Sequence, residues 1–363
     1  MAISGAKYVV ADLDATGLDA VRRAFENQVA YCRDNDAGIT ALICDAIGAL
    51  IDTQRGGKVM DRVRQWTGPA LSDAVPLRLA GGVHALHLSG KAPALGAIYR
   101  GDAPANAVDL VADAIELHEA FLLQWLDGPP QTNEAGRSAN FAVSLLWLAG
   151  QGLPADFALY EVGASAGLNL LMQHYRYDLD GITLGSAKSG VHLTPGWRGP
   201  QPPDRKITIR SAEGCDIAPI DISDPAQATR LKAYIWPEFT ERFARMDAAI
   251  AVAKRYPPAI AKLTASAFLA DVLKRPATRG VTRVVMHSVV WQYLPPKERD
   301  RMTDLIERAG AQATDDAPLA WVSLEANRDT HRHELTISYW PGGEMRRRVA
   351  TAHPHGAWIK WSG

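Results

Sequence analysis

The chain has 363 residues, of which 47% are hydrophobic and 22% are charged. This length allows two domains, and this composition excludes disordered, collagen-like and coiled-coil classes for most of the chain. The 39 basic and 40 acidic residues give a formal net charge of −1, so no global field draws the protein to polyanions. We therefore expect neither a nucleic-acid partner nor a membrane partner.

The three cysteines, Cys32, Cys44 and Cys215, form no CxxC pair. A low and odd number fits a reducing compartment better than a disulfide framework. The first residues lack a basic segment followed by an apolar one, so no signal peptide is expected. The most apolar stretch, which begins at Phe141, is too short to cross a bilayer. These features predict a cytoplasmic protein.

The first third of the chain has apolar residues at spacings of three and four, which is typical of helices. No strand series is expected before about residue 155. We therefore predict an all-α domain over residues 1–128 that acts as a lid or substrate domain. The helix-breaking tripeptide Gly128-Pro129-Pro130 follows the last predicted helix of this domain. The predicted helices are Leu18–Arg33, Ile39–Asp52, Leu77–Leu88, Ala107–Leu126 and, after the break, Glu134–Leu148.

From Phe157 onward, short apolar runs alternate with helical segments. This order predicts an α/β domain over 129–363 with a mostly parallel sheet covered on both faces. The last strands have no helix between them, so one of them is expected to pair antiparallel. Residues 176–205 are rich in Gly, Pro and Ser and are interpreted as an insertion containing a hairpin. The predicted strands are 157–162, 206–210, 259–264, 282–291, 319–326, 334–340 and 357–361.

The segment EVGASAGLN joins the first of these strands to a predicted helix through small residues. Such a turn directs backbone N–H groups at a ligand, and glycines let the ligand approach the backbone closely. The alternative is a connection whose glycines serve only packing. The candidate ligand-binding residues of the turn are Glu161, Gly163, Ala164, Ser165, Gly167 and Asn169.

The same letters also fit G-x-S-x-G, the nucleophile elbow of serine hydrolases. Ser165 would then be the nucleophile, followed along the chain by an aspartate and a histidine. In that fold several strands precede the elbow, whereas the region before it here is predicted to be helical. The partners considered are Asp216, Asp271, His353 and His355.

The ends of the next strands favour a nucleotide site. Asp216 follows the second strand and can accept hydrogen bonds from a ribose diol. Ser266 follows the third strand, where an adenine could sit, and His287 ends the fourth. In an open α/β sheet the ligand lies outside the carboxyl ends of the strands, so these ends would form one site.

In the order of these motifs, the chain resembles class I S-adenosylmethionine-dependent methyltransferases. It is similar, more closely, to a bacterial family of unknown function placed in that superfamily. The methyltransferase-like part covers about residues 130–363, and Ser266 stands where an acidic residue is usual. The resemblance is carried by QTNEAGRSAN, LYEVGASAGLNLL, GCDIAPIDISDP, AYIWPE, VVMHSVVWQYLP and HPHGAWIKW.

The resemblance implies a Rossmann-like sheet that binds S-adenosylmethionine and acts on an unknown small molecule. It implies that Glu161, Gly163 and Gly167 touch the methionine part of the cofactor and that Asp216 holds the ribose. Arg137 lies in a stretch that carries the resemblance, and its guanidinium could bind the methionine carboxylate. A protein that retains the pocket without catalysis is the remaining alternative.

Other candidate residues have weaker patterns. His287 is a candidate general base, because imidazole accepts protons near neutral pH. Trp291, with Tyr293 and Trp236, could form an aromatic wall facing a sulfonium. The pair His353 and His355 lacks a third ligand of diagnostic spacing, so we expect no metal site. The run Arg346–Arg348 is interpreted as a solvated turn.

Overall fold

A computed structural model of the protein describes residues 14–363. The residues on which the signal-peptide expectation rests lie outside this range. The described chain divides into two compact units. The helical unit comprises the residues up to 132 together with 225–244, and the sheet unit comprises 133–224 and 245–363.

The described chain contains twelve α-helices, and their bounds agree with the periodicity in most cases. The apolar positions of the N-terminal helices are buried, which confirms the helical N-terminal region. The helices are α1 (Leu18–Asp34), α2 (Gly38–Ala49), α3 (Gly57–Arg64), α4 (Val75–Leu88), α5 (Gly96–Tyr99), α6 (Ala107–Leu117), α7 (Glu119–Leu123), α8 (Ser138–Gly150), α9 (Pro225–Ala233), α10 (Thr240–Arg255), α11 (Ala265–Val272) and α12 (Pro296–Gly310).

Two features of the helical unit differ from the prediction. The expected helix over Ala107–Leu126 is interrupted at His118, which has non-helical backbone angles and separates α6 from α7. The unpredicted α3 begins where Glu116 accepts the Gly56 N–H at 2.8 Å and Glu119 accepts the Lys58 N–H at 2.6 Å. These carboxylates accept hydrogen bonds from the first N–H groups of a short helix. Because they lie far away in sequence, the spacing of apolar residues gives no sign of them.

A pair of glycines sets the packing of α4. A Cβ at Gly81 would lie 2.7 Å from the Tyr234 ring, and one at Gly82 would lie 2.7 Å from Leu122. The close approach of these side chains therefore requires glycine at both positions. This segment lies within a helix, as the sequence predicted.

The sheet unit contains twelve strands. Nine strands form one large sheet in the order β5-β12-β11-β10-β9-β8-β1-β6-β7, and β3-β2-β4 form a small one. The strands are β1 (Asp156–Val162), β2 (Arg176–Leu179), β3 (Ile182–Leu184), β4 (His192–Leu193), β5 (Gly196–Arg198), β6 (Thr208–Asp216), β7 (Ala259–Lys262), β8 (Val281–Ser288), β9 (Leu319–Asn327), β10 (Arg332–Trp340), β11 (Arg347–Ala352) and β12 (Trp358–Trp361).

The large sheet is mostly parallel, as predicted. The neighbours of β1 are β6 and β8, and all pairs from β7 to β9 are parallel. From β9 the chain continues as an antiparallel meander through β10 and β11 to β12, which also pairs in parallel with β5. The described residues before β1, 14–155, contain no strand.

One face of the parallel strands is covered over only part of its length. Tyr160, Val285 and Trp321 lie on this face and pack in one apolar cluster with Phe268 of α11 and Ile306 of α12. Further along β8 and β9 the same face carries polar residues. Since side chains alternate along a strand, His287, Ser323 and Glu325 follow the core residues on that face.

Two elements differ from the prediction in the sheet unit. The helix expected after the glycine turn is a short 3-10 helix, Asn169–His174. The Tyr175 hydroxyl donates to the Leu168 carbonyl and that of Tyr177 to the Met172 carbonyl, which takes up acceptors that an α-helix would use. The basic run is not a simple solvated turn, because Arg347 begins β11. No helix of the described residues is long and apolar enough to cross a membrane.

Candidate functional site

The carboxyl edge of the parallel strands brings together residues from three predicted motifs. Val162 of β1 pairs with Cys215 of β6 on one side and with His287 of β8 on the other. Glu161, Asp216 and His287 therefore all lie at the carboxyl edge of the sheet, with Glu161 on the opposite face from Val162 and His287. This is the edge at which open α/β sheets bind ligands.

The glycine turn after β1 has three residues in the left-handed region. Gly163 has φ 69°, Ser165 has φ 53° and Gly167 has φ 72°. A Cβ at Gly163 would lie 2.5 Å from Val290, and one at Gly167 would lie 2.6 Å from Pro258. Protein side chains thus already occupy the space beside both glycines, which gives them a packing role.

Most backbone donors of the turn are also used within the protein. The N–H of Ala164 donates to the Cys215 carbonyl at 2.9 Å, and that of Gly167 donates to the Ala164 carbonyl. The N–H of Leu168 donates to Asn133 Oδ1 at 2.8 Å, and that of Ser165 to Asp216 Oδ2 at 2.9 Å. A phosphate would find few donors here, so the turn lacks the N–H cradle that its sequence suggests.

The hydrogen-bonding groups left unpaired at this edge are buried acceptors. Glu161 is 1% exposed, and its Oε1 accepts a hydrogen bond from Asn169 Nδ2 at 2.8 Å. Glu161 Oε2 and Asn169 Oδ1 have no hydrogen-bond partner. Burial raises the pKa of Glu161 to about 8, against the opposing effects of the Asn169 hydrogen bond and the Arg137 charge. When Glu161 is ionised, its Oε2 and Asn169 Oδ1 are two unpaired acceptors, which fit a ligand that donates, such as an ammonium group.

Asp216 occupies the predicted position at the end of β6. Its Oδ2 accepts the Ser165 N–H and its Oδ1 accepts the Ala218 N–H at 2.9 Å. Each carboxylate oxygen has two lone pairs, so each can accept one more hydrogen bond. Asp216 is partly exposed, and its neighbour Ile217 is 72% exposed. An acceptor beside an exposed apolar side chain suits a hydroxylated, flat ligand.

Arg137 and Ser266 are held by protein partners. Arg137 is buried, and its Nε donates to the Pro354 carbonyl at 2.7 Å. Ser266 lies in the first turn of α11, where its N–H and hydroxyl donate to the two oxygens of Glu298 at 2.8 and 3.0 Å. The Ser266 hydroxyl is thus engaged in joining α11 to α12.

His287 is paired with a carboxylate that the sequence analysis did not single out. His287 is 1% exposed, and its Nδ1 lies 2.7 Å from Glu325 Oε1. The same oxygen accepts the Val290 N–H at 3.1 Å, so it acts as an acceptor and Nδ1 carries the proton. Nε2 is left with its lone pair and has no hydrogen-bond partner.

The backbone directly after β8 has a strained conformation next to the His287–Glu325 pair. Val289 has φ 54°, which is unusual for a β-branched residue. The Val289 N–H donates to the Leu324 carbonyl at 3.0 Å. The N–H of the next residue, Val290, donates to Glu325. Since the Val290 side chain also fills the space beside Gly163, one residue contacts both the histidine pair and the glycine turn.

A pocket of about 420 Å³ opens over the polar part of this face. Trp291 stacks on the His287 ring, with ring centroids 5.4 Å apart, and Trp321 lies 6.0 Å away. Of the predicted aromatic wall, Trp291 lines this pocket, while Trp236 belongs to the helical unit and stacks on Phe239. The pocket is lined by His287, Trp291, Trp321, Ser323, Glu325, Ala326, Asn327, Arg328, Glu334, Thr336, Ser338 and Arg346.

The residues proposed for a hydrolase do not form a triad. Ser165 Oγ is buried and has no hydrogen-bond partner, and Asp216 binds the Ser165 N–H rather than a histidine. Asp271 pairs with Arg275 at 2.7 Å. His353 Nδ1 accepts the His355 N–H within the turn that joins β11 to β12. Among residues 14–363, no group of three histidine, cysteine or acidic side chains could hold a metal ion.

The chain belongs to the bacterial family described as "Uncharacterized protein conserved in bacteria (DUF2332)". The family pattern matches residues 22–361, which includes nearly all of both units. No curated protein matches the chain. The membership therefore includes the helical unit as well as the sheet unit and assigns no reaction.

Proposed function

We propose that the protein binds S-adenosylmethionine at the carboxyl edge of β1 and β6 and methylates a small molecule held near His287. The observation that carries this proposal is the chemistry of the edge. Its unused groups are the acceptors Glu161, Asn169 and Asp216, while the N–H groups of the turn are mostly taken. The cofactor has an ammonium group and ribose hydroxyls to donate and no phosphate to bind.

The residues have separate roles in this proposal. Glu161 and Asn169 would accept hydrogen bonds from the ammonium group, and Asp216 would accept them from the ribose, with Ile217 beside the base. When bound, S-adenosylmethionine supplies a methyl group on a sulfonium, and its transfer depends mainly on positioning the acceptor. His287 Nε2 would take the proton of the acceptor, and Glu325 would hold the imidazole and stabilise its charge.

Thermal shift measurements test cofactor binding. S-adenosylmethionine and S-adenosylhomocysteine at millimolar concentration should both raise the melting temperature, because ligands that bind the folded state stabilise it by mass action. ADP and NAD serve as controls with the same nucleoside and added phosphates, and they should give no shift. Absence of a shift with S-adenosylhomocysteine in a folded sample would contradict the proposal.

A hydrolase centred on Ser165 is the second candidate. The left-handed φ of 53° and the unpartnered Oγ favour it, because nucleophile elbows place a serine in a strained turn. Residues 14–155 contain no strand, and no basic side chain is hydrogen-bonded to Ser165 Oγ. Both observations favour methyl transfer over hydrolysis. A protein that binds S-adenosylhomocysteine but transfers no methyl group would fit the non-catalytic alternative.

A further inference from the structure

We infer that the pocket over β8, β9 and β10 binds a small aromatic carboxylate whose ring hydroxyl faces His287. This inference rests on the proposed function for the fate of that hydroxyl, but the binding itself is argued from the pocket alone. Its volume of about 420 Å³ lies in the range of small-molecule sites and suits a molecule of one or two rings.

The charges of the pocket favour an anion. Glu325 is engaged by His287 and the Val290 N–H, and Glu334 accepts hydrogen bonds from Asn327, Thr330 and Arg348. The two arginines of the lining, Arg328 and Arg346, have no ion-pair partner among residues 14–363. Both acidic groups are therefore engaged within the protein, whereas the two guanidinium groups have no carboxylate partner, and guanidinium binds carboxylates in a bidentate way.

The walls of the pocket favour a flat ring. Trp291 and Trp321 lie with ring centroids 5.9 Å apart, and both lie close to the His287 ring. The guanidinium of Arg346 lies 5.9 Å from the centre of the Trp321 ring, so it can reach a carboxylate on a ring packed against that wall. Aromatic rings pack well at such centroid separations.

Two buried nitrogens give the site its orientation. His287 Nε2 and Trp321 Nε1 both belong to lining side chains and have no hydrogen-bond partner. Nε2 is an acceptor and indole Nε1 is a donor, and a ligand hydroxyl, which both donates and accepts, can pair with either kind of atom. Buried polar atoms are usually paired, and an acceptor and a donor in one pocket wall indicate a ligand with one such group.

Fluorescence titration with 4-hydroxybenzoate tests this inference without the cofactor, because Trp291 and Trp321 line the pocket. The wild-type protein should show saturable quenching, and the neutral methyl ester should bind at least about tenfold more weakly. Arg346→Gln and Arg328→Gln should each weaken binding about 10- to 100-fold, as expected for loss of a charged hydrogen bond. Arg346→Lys should bind more tightly than Arg346→Gln but more weakly than the wild type, because lysine keeps the charge and loses the bidentate geometry.

Arg301→Gln is the matched control. Arg301 is an exposed arginine of α12 that does not line the pocket, and its replacement should leave binding unchanged. Equal binding of the acid and its ester, or unchanged affinity in Arg346→Gln, would overturn the inference. A melting-temperature shift with S-adenosylhomocysteine but no binding of 4-hydroxybenzoate would overturn it and leave the proposed function standing; the reverse result would overturn the proposed function alone.

Discussion

Each unit of the protein contains a buried histidine, and the two have different surroundings. In the helical unit, His84 Nδ1 lies 3.0 Å from the Ala233 carbonyl, and burial lowers the pKa of His84 to about 4. In the sheet unit, His287 Nδ1 is bound by the carboxylate of Glu325, and its Nε2 is unpartnered. A carbonyl fixes a neutral ring, whereas a carboxylate also stabilises the ring when it gains a proton.

The two units also differ in the pairing of several buried polar side chains. The buried polar residues Gln28, Thr40 and Arg78 of the helical unit all have hydrogen-bond partners. At the carboxyl edge of the sheet, acceptors on Glu161 and Asn169 have none. Tyr99 and Tyr234 of the helical unit also have unpaired buried hydroxyls, so the difference lies in the carboxyl oxygen of Glu161, which is left unpaired at the sheet edge. The comparison thus indicates a structural role for His84 and supports the catalytic role proposed for His287.

Replacing each histidine with glutamine tests that assignment, and the largest effect is expected here. His287→Gln should reduce S-adenosylhomocysteine formation with 4-hydroxybenzoate by about 10²- to 10⁴-fold, the range for losing a general base. His84→Gln should leave this rate within about threefold and lower the melting temperature instead. Equal losses of rate in the two variants would break the comparison.

Glu325→Gln tests whether the carboxylate stabilises the charged imidazole in addition to orienting the ring. Glutamine can still accept from Nδ1 and from the Val290 N–H, but it cannot stabilise the imidazolium. We expect kcat to fall about 10- to 100-fold, the value of a charged hydrogen bond, while KM for 4-hydroxybenzoate changes little. A variant with unchanged kcat would make Glu325 a structural partner only.

Asp216→Ala tests the nucleoside end of the edge. Loss of an acceptor from a hydroxyl pair should weaken S-adenosylhomocysteine binding by about 1 to 3 kcal/mol in calorimetric titration. Asp221→Ala is the control, because Asp221 lies five residues further along and caps Ser223 in the same loop. Unchanged affinity in folded Asp216→Ala would remove Asp216 from the site.

The sequence predicted the parallel strands and the position of Asp216, because burial on both faces and strand-end acids leave local patterns. It did not predict the use of the turn's N–H groups, since Asn133 and Asp216 bind them from other segments. Glu325 was predictable in principle: it follows β9 core residues at a spacing of two, and it stands near the carboxyl end of its strand. Only the pairing of β8 with β9 shows that it meets His287.

Glu161 should make the stability of the protein depend on pH. Its pKa is raised from its ordinary value of 4.5 to about 8, so between these values the folded state binds more protons than the unfolded state. The free energy of unfolding should therefore fall as pH rises from about 4.5 to about 8, by about 1.4 kcal/mol for each pKa unit of the shift. Melting curves of Glu161→Gln should lack this decrease.

Glu307→Gln controls for general charge effects, because Glu307 is an exposed residue of α12. Its melting temperature should follow the wild-type pH dependence. If Glu161→Gln and the wild type show the same decrease between pH 5 and pH 8, Glu161 is ionised in the folded protein. The acceptor at the end of β1 would then carry its charge without a ligand.

The smallest effect is expected at Ser165, where the two candidate functions differ most. In a methyltransferase the Ser165 backbone N–H binds Asp216 and the hydroxyl has no role, so Ser165→Ala should keep S-adenosylhomocysteine affinity within a few-fold. Ser165→Gly should raise the melting temperature slightly, because a φ of 53° costs a side chain roughly 1 kcal/mol that glycine avoids. Hydrolysis of p-nitrophenyl acetate by the wild type, lost in both variants, would instead identify Ser165 as a nucleophile and reverse the choice between the functions.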